Sequence, residues 1–176
     1  MSPEMQFRSL TEEDFALLHT WLNQPLVREF YQKEPISLAE VEAHYRPRLA
    51  PGWPTRCWIA MIDHEPFAYL QTYILAAWPD YASRLKLDSG VCMDFYIGDP
   101  AFLSRGLGQA MIGQFLNGVL WALYPEESSC YVAHAASNLR ALAASQGAGF
   151  QHLRNLMEDG QTISLLVFER KQSDFD

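Results

Sequence analysis

The chain has 176 residues with a net charge of −8, and that length suits one domain. Hydrophobic residues make up 49%, with 10 Phe, 8 Tyr and 5 Trp, enough to bury a core without metal or disulfide staples; charged residues, at 19% and never gathered in blocks, exclude a disordered chain. Thirteen Lys and Arg against 21 Asp and Glu, with no basic cluster, weigh against nucleic acid as a partner and favour a cationic small molecule.

In chain order, residues 5–10 read as a short strand. Thr11 before Glu12, Glu13 and Asp14 is an N-cap followed by acids at the positive helix end. Phe15, Leu18, Trp21 and Leu22 then carry a helical period, which predicts a helix over 12–23. Residues 27–31 are an aromatic-bearing loop or broken helix. Ser37 and Glu40 form a capping box that opens a helix over 38–49, stopped by Pro51 and Gly52. Apolar runs at 57–62 and 66–75 flank Asp63, His64 and Glu65, a hairpin signature. Residues 76–90 mix Trp, Pro, Asp, Ser and Gly and read as a long loop, of a kind that is often functional.

A strand follows at 91–97. Leu107, Met111, Phe115 and Leu120 predict a long helix over 106–123. A strand at 129–133 and a short Ala-rich helix over 138–146, ended by Gly147, come next. The last hairpin, 150–157 with 162–169, turns at Asp159-Gly160, and the polar tail from Lys171 is expected to fray. With no internal repeat and no linker composition, the expectation is one mixed α/β domain over 1–176.

Cys57, Cys92 and Cys130 are odd in number, widely spaced and set in apolar runs, the pattern of buried reduced thiols. Neither Cys92 nor Cys130 has an electropositive neighbour or a helix N-terminus to activate it, which sets a cysteine nucleophile aside. His19, His44, His64 and His152 show no metal-ligand spacing, and no metal is expected. The first residues lack a basic end followed by an apolar stretch, and no apolar run approaches bilayer length; a cytoplasmic chain with no membrane partner is expected.

The chemistry concentrates in the stretch from Met93 to Ile112, where a strand runs through Ser104-Arg105-Gly106-Leu107-Gly108 into a helix. Glycines let backbone approach a ligand, and the free N–H groups of a first helical turn form an anion site, to which Arg105 adds charge. The spacing is neither that of a P-loop nor that of a dinucleotide fingerprint, because position 111 is Met where the latter needs Gly. A glycine pair that only tightens a strand-to-helix turn is the competing account.

In these residues the chain resembles the GNAT N-acetyltransferase superfamily, whose Arg/Gln-x-x-Gly-x-Gly/Ala loop binds the acetyl-CoA pyrophosphate. Leu103-Ser-Arg-Gly-Leu-Gly108 matches that loop with Leu in place of the first Arg or Gln, and Ser137-Asn-Leu-Arg-Ala141 with Gly147-Ala-Gly-Phe150 is similar to the family's Asn-x-x-Ala and Gly-Phe segment. Within the superfamily the chain is similar to the aminoglycoside 6'-N-acetyltransferase type, through Trp21-Leu-Asn, Tyr69-Leu-Gln-Thr-Tyr73, Asp94 with Phe95 to Pro100, and Asn138. The resemblance implies an α+β, mixed α/β, GNAT-like fold: a central mixed, mostly antiparallel sheet of about seven strands flanked by about four helices. It also implies acetyl-CoA as co-substrate and direct acetyl transfer to an amine of a small cationic substrate.

By the same resemblance, Asp94 is the catalytic base; on its own terms it is a carboxylate entering the apolar strand Phe95–Ile97, where a structural hydrogen-bonding role competes. Phe95, Tyr96 and Ile97 would pair their backbone with pantetheine. Ser104, Arg105, Gly106, Leu107, Gly108 and Gln109 would hold the pyrophosphate, and Asn138 would contact the cofactor arm. Asp80, Gln71, Tyr73, Phe30 and Tyr31 would border the acceptor, against readings of Asp80 as a solvated loop acid and of the aromatics as core.

Two positions depart from the type. Ala133 and His134 replace an Asp-Pro pair, removing an acidic substrate contact, and Ser145 replaces the Tyr that in many members protonates the departing thiolate. His134 is then either an alternative acid or base or a structural histidine. The open alternatives are an acyltransferase for a siderophore precursor or a polyamine, and a catalytically silent acyl-CoA-binding domain. The oligomeric expectation is a monomer or homodimer.

Overall fold

The computed structural model describes residues 2–171; the fraying expected of the tail falls, from 172 onward, outside the described residues. In order the elements are β1 (Gln6–Ser9), α1 (Phe15–Leu22), α2 (Pro25–Phe30), α3 (Leu38–Tyr45), β2 (Thr55–Ile62), β3 (Glu65–Ile74), α4 (Pro79–Leu85), β4 (Val91–Ile97), α5 (Leu107–Phe115), α6 (Trp121–Leu123), β5 (Ser129–Ala135), α7 (Leu139–Gly147), β6 (Gln151–Glu158) and β7 (Gln161–Glu169). The seven strands follow the order β1-β2-β3-β4-β5-β7-β6. The β1–β2, β5–β7 and β6–β7 pairs are antiparallel and β4–β5 is parallel, which is the mixed, mostly antiparallel sheet expected. Two compact units divide the chain, one holding residues up to Gln71 with Phe95–Arg105 and the other Thr72–Asp94 with the described residues from Gly106 on.

In the first unit, Thr11 opens a 3-10 turn, Glu12–Asp14, that leads into α1. The buried Asp14 carboxylate is held by both Arg8 guanidinium nitrogens at 2.7 Å and by the Thr11 backbone N–H at 2.9 Å. Burial alone would raise the Asp14 pKa, but the Arg8 and Thr11 hydrogen bonds outweigh it and hold it below the ordinary 3.8. A carboxyl depressed in the folded state contributes stability that is complete above its unfolded value and disappears as pH falls through its folded one. Chemical denaturation should therefore show unfolding free energy falling below about pH 4, with a smaller fall in Asp14→Asn, which should also lose about 1–3 kcal/mol at neutral pH.

Leu18, Val41, Ile59 and Tyr69 form the fully buried centre of this unit, with Trp21 and Tyr96 against them. Burying each aliphatic side chain contributes about 1.5–3 kcal/mol. Of the two readings of the segment around 27–31, loop or broken helix, the helical one holds: Pro25–Phe30 is a short helix, and Pro25 in the first turn presets its φ. The capping box is present in α3, with Ser37 N–H donating to Glu40 Oε2 at 2.8 Å and Glu40 N–H to Ser37 Oγ at 3.3 Å. The regular helix stops at Tyr45, four residues early, and tightens into the 3-10 turn Arg46–Leu49, where Pro47 supplies no backbone donor.

The second unit corrects the loop expected over 76–90. Leu75–Ala77 is a 3-10 turn and Pro79–Leu85 is a helix, started by Pro79 and closed by Lys86 at φ +57. Ala82 and Leu85 bury one face of that helix beside Tyr73, Leu75, Cys92 and Leu165. This short helix, read as loop from composition, and α2, left open between loop and broken helix, take the helical complement beyond the four expected. The helix expected to run unbroken to 123 opens at Leu116–Leu120 into a wide turn in which Trp121 N–H reaches Leu116 O, with the poor helix former Gly118 inside it. α7 ends at Gly147, as expected, but the left-handed exit is made by Gly149, at φ +105, after Ala148 keeps helical geometry. The Asp159-Gly160 turn has φ +48 and +77, both positive as a two-residue hairpin requires.

Candidate active site

Strand β4 alternates its side chains, so Cys92 and Asp94 share a face. In the second unit that face meets Tyr73 from β3 and Tyr81 from α4, whose rings lie 6.0 Å apart and whose hydroxyls hydrogen-bond. Tyr73 also hydrogen-bonds the Cys92 thiol. Burial first, and the Asp94 charge second, push the acidities of Tyr73, Tyr81 and Cys92 far up. All three stay protonated at neutral pH, so the half-buried Asp94 carboxyl lies beside neutral hydrogen-bonding groups. Asp80 lies exposed in the first turn of α4, on the same helix as Tyr81 but not in this cluster.

The glycine loop has the conformation that an anion cradle needs. Pro100–Phe102 forms a 3-10 turn whose cap is Asp99, with Oδ1 accepting from Ala101 N–H at 2.8 Å. Ser104 then takes φ +59, rare for a residue with a side chain, and Gly106 takes φ +69 as the N-cap of α5. No side chain caps α5 and no acid lies in its first turn, so its N–H groups and dipole remain available to an anion. A methyl group built on Gly106 meets nothing within 4 Å, whereas Leu107 is buried and anchors the turn. Ser104, Arg105 and Gly106 are exposed, and the Arg105 guanidinium lies 5.7 Å over the Phe102 ring. This donor set fits a pyrophosphate.

Gln109 has a packing role beside its expected one. A Cβ at Gly147 would lie 2.6 Å from Gln109 Cδ, so glycine there lets α7 approach α5. The Asn138 side-chain oxygen caps α7, accepting from Ala141 N–H at 3.2 Å. On β5, His134 Nε2 lies 2.9 Å from the Oγ of Ser145, which is fully buried. Burial pushes the His134 pKa down to about 4, so at neutral pH its imidazole is uncharged.

The remaining expected acceptor residues divide between the units. Gln71 lies in the first, where Tyr69 Oη donates to its Oε1 at 2.9 Å and Arg48 donates to the same oxygen. Tyr31 packs edge-on to Tyr96 and Tyr69 at 4.6 and 6.4 Å, and Phe30 is half-buried at the end of α2. The backbone of Phe95–Ile97 lies beyond the parallel β4–β5 ladder, which comprises Val91 with Cys130 and Cys92 with Tyr131. Sequence reasoning missed Tyr81 and Arg48. Pro79-Asp80 as a helix start was the available signal for Tyr81; Arg48 offered none.

This fold and site have counterparts. A family model described as acetyltransferase (GNAT) domain matches residues 11–157, and the chain belongs to that family. It is an acetyl-CoA-dependent N-acetyltransferase. It is 30% identical over 171 residues to an aminoglycoside N(6')-acetyltransferase type 1 of Serratia marcescens, covering 93% of this chain and 84% of the relative. To the protein of the same name from Klebsiella pneumoniae it is 29% identical over 174 residues, covering 94% and 86%. Its fold is shared by aminoglycoside acetyltransferase AAC(6')-Ib, solved in complex with coenzyme A and kanamycin, at a TM-score of 0.78 and 24% identity over 98% of this chain and 97% of the other.

Proposed function

We propose that this enzyme acetylates a primary amine of a small cationic substrate of the aminoglycoside type, with Asp94 as the general base. The observation that carries the base assignment is the setting of Asp94, a half-buried carboxyl beside Tyr73, Tyr81 and Cys92, which are held neutral. An alkylammonium has no lone pair, so the acceptor must lose a proton before its nitrogen attacks, and a fixed carboxylate takes that proton directly or through water. Tyr73 and Tyr81 hydrogen-bond each other and keep the acceptor side of β4 rigid. The names of the relatives support the acceptor class.

Acetyl-CoA supplies the acetyl group as a thioester. The α5 N-terminus with Ser104, Arg105, Gly106, Leu107, Gly108 and Gln109 holds its pyrophosphate, the backbone of Phe95, Tyr96 and Ile97 pairs with its pantetheine, and Asn138 meets its arm through the side-chain nitrogen, the oxygen being used in the α7 cap. The nitrogen–carbon bond forms as the carbon–sulfur bond breaks, and Asp94 carries the amine proton away. Ser145 is buried against a neutral His134 and has no part in this scheme as a proton donor. Asp80, Gln71, Tyr73, Phe30 and Tyr31 remain the acceptor contacts in this reading.

The test is incubation with acetyl-CoA and kanamycin, following thiol release and the mass of the drug. The expected result is one thiol released for each acetyl group gained by kanamycin. Thiol release without acetylated drug, or no release, overturns the acceptor assignment.

A further inference from the structure

Within the second unit one hydroxyl is held in place with its proton uncommitted. Taken alone, the hydrogen bond between Tyr73 and Tyr81 pushes the Tyr73 pKa up and the Tyr81 pKa down, which makes Tyr73 the donor and Tyr81 the acceptor. Tyr73 donates toward the Cys92 sulfur as well. Tyr73 and Cys92 are buried, so the one Tyr73 proton is engaged inside the cluster. Tyr81 is the half-buried member, and among the described residues nothing accepts its proton. A phenol that accepts a hydrogen bond is also a better donor, because linked hydrogen bonds polarise one another.

The Tyr81 side chain has little freedom to turn elsewhere. Its ring lies 6.0 Å from the Tyr73 ring and carries the Arg84 guanidinium 5.3 Å from its centroid. Arg84 pairs with Glu158 of β6 at 3.0 Å, and Arg154 of the same strand donates to Lys86 O, just past the end of α4, at 3.2 Å. Ala82 and Leu85 bury the other face of the helix. Exposed ion pairs contribute little to stability, but together with that buried face they fix where α4 lies against β6. The hydroxyl is thereby preorganised, and a ligand that meets it does not have to order the side chain.

Asp94 lies close enough to act electrostatically on both phenols, so a carboxyl and a free O–H donor occur together in this unit. The two groups ask for different partners. An ammonium offers hydrogens and suits the carboxyl, whereas the Tyr81 proton needs a lone pair.

We infer that Tyr81 is a specificity-determining residue of the acceptor site, donating to an ether or hydroxyl oxygen two carbons from the amine that is acetylated. The enzyme then favours amino alcohols and amino ethers over simple alkylamines. The inference rests on the reading in which the acceptor nitrogen meets Asp94.

2-Methoxyethylamine and butylamine have equal chain lengths and differ by one oxygen. Because they also differ in basicity, the quantity to compare is their kcat/KM ratio in the unaltered enzyme and in Tyr81→Phe, from which basicity cancels. The preference for the ether should be about 3–10-fold larger in the unaltered enzyme, the contribution of one neutral hydrogen bond. A tyrosine with only a structural role lowers both rates together, and an unchanged ratio overturns the assignment. Binding of N-(2-methoxyethyl)acetamide and N-butylacetamide, which have no amine to acetylate, is read by saturation-transfer NMR. Preferential binding of the ether, lost in Tyr81→Phe, supports the donor contact even if no amine is acetylated, a result that would count against the Asp94 reading alone. Equal binding of the two amides, binding of neither, or a preference that survives in Tyr81→Phe overturns the inference even if kanamycin is acetylated.

Discussion

Asp94→Asn is expected to lower kcat for acetyl transfer by about 10²–10⁴-fold, the usual contribution of a positioned general base. The substitution keeps the size, removes the charge and replaces one acceptor oxygen with an NH2 donor. Affinity for acetyl-CoA should hold, because the α5 N-terminus and the Arg105 loop, not Asp94, carry the anion-binding donors. The loss should therefore appear in kcat at saturating cofactor, with the dissociation constant from calorimetry unchanged. If kcat stays within a factor of about two, Asp94 is a structural carboxylate of β4 and the base lies elsewhere.

The second large effect is on stability. Gly98 follows β4, and a Cβ there would overlap the indole of Trp21, with Cε3 only 2.6 Å away and two further ring atoms closer still. Trp21 has little room to yield: it is 3% exposed and packs edge-on to Tyr96 at 6.4 Å. Gly98→Ala should cost about 1–3 kcal/mol or more, at roughly 2–4 °C of Tm per kcal/mol. Gly113→Ala is the contrast. That glycine lies inside α5 with nothing within 4 Å of a built Cβ, and the change should stabilise by about 0.5–1 kcal/mol. Equal effects at the two positions would contradict the packing described around Trp21.

What was legible in the sequence was local chemistry. The Ser37–Glu40 box, the Asp159-Gly160 turn and the glycine loop each act through neighbours a few residues away, so their residue types suffice to place them. The seven strands were legible for a related reason, since apolar runs and turn residues punctuate the chain at strand spacing, whereas their mixed pairing came from the family resemblance. Composition failed at α4, because Trp78-Pro79-Asp80 reads as loop material until Pro79 is seen as a first-turn residue whose helix buries Ala82 and Leu85. Composition placed the end of α7 at Gly147 but not that glycine's packing role: it makes room for Gln109, and the left-handed exit belongs to Gly149.

The candidate site shows the same division. Asp94 was marked by a charge in an apolar strand, yet Tyr81 reaches its cluster only through the unforeseen helix. Arg48 meets Gln71 across 23 positions of sequence, and the tyrosines around it come from α3, β3, β4 and the end of α2. No period or spacing announces a cluster assembled at that range.

The central claim is that the chain moves acetyl groups from acetyl-CoA to an amine of an aminoglycoside. The most direct measurement is the stoichiometry of thiol release against acetylated kanamycin, with the modified nitrogen located by NMR of the product. One acetyl group per thiol, on the 6'-amine, is the predicted result. Tight acetyl-CoA binding with no acetylated drug at any nitrogen would contradict it.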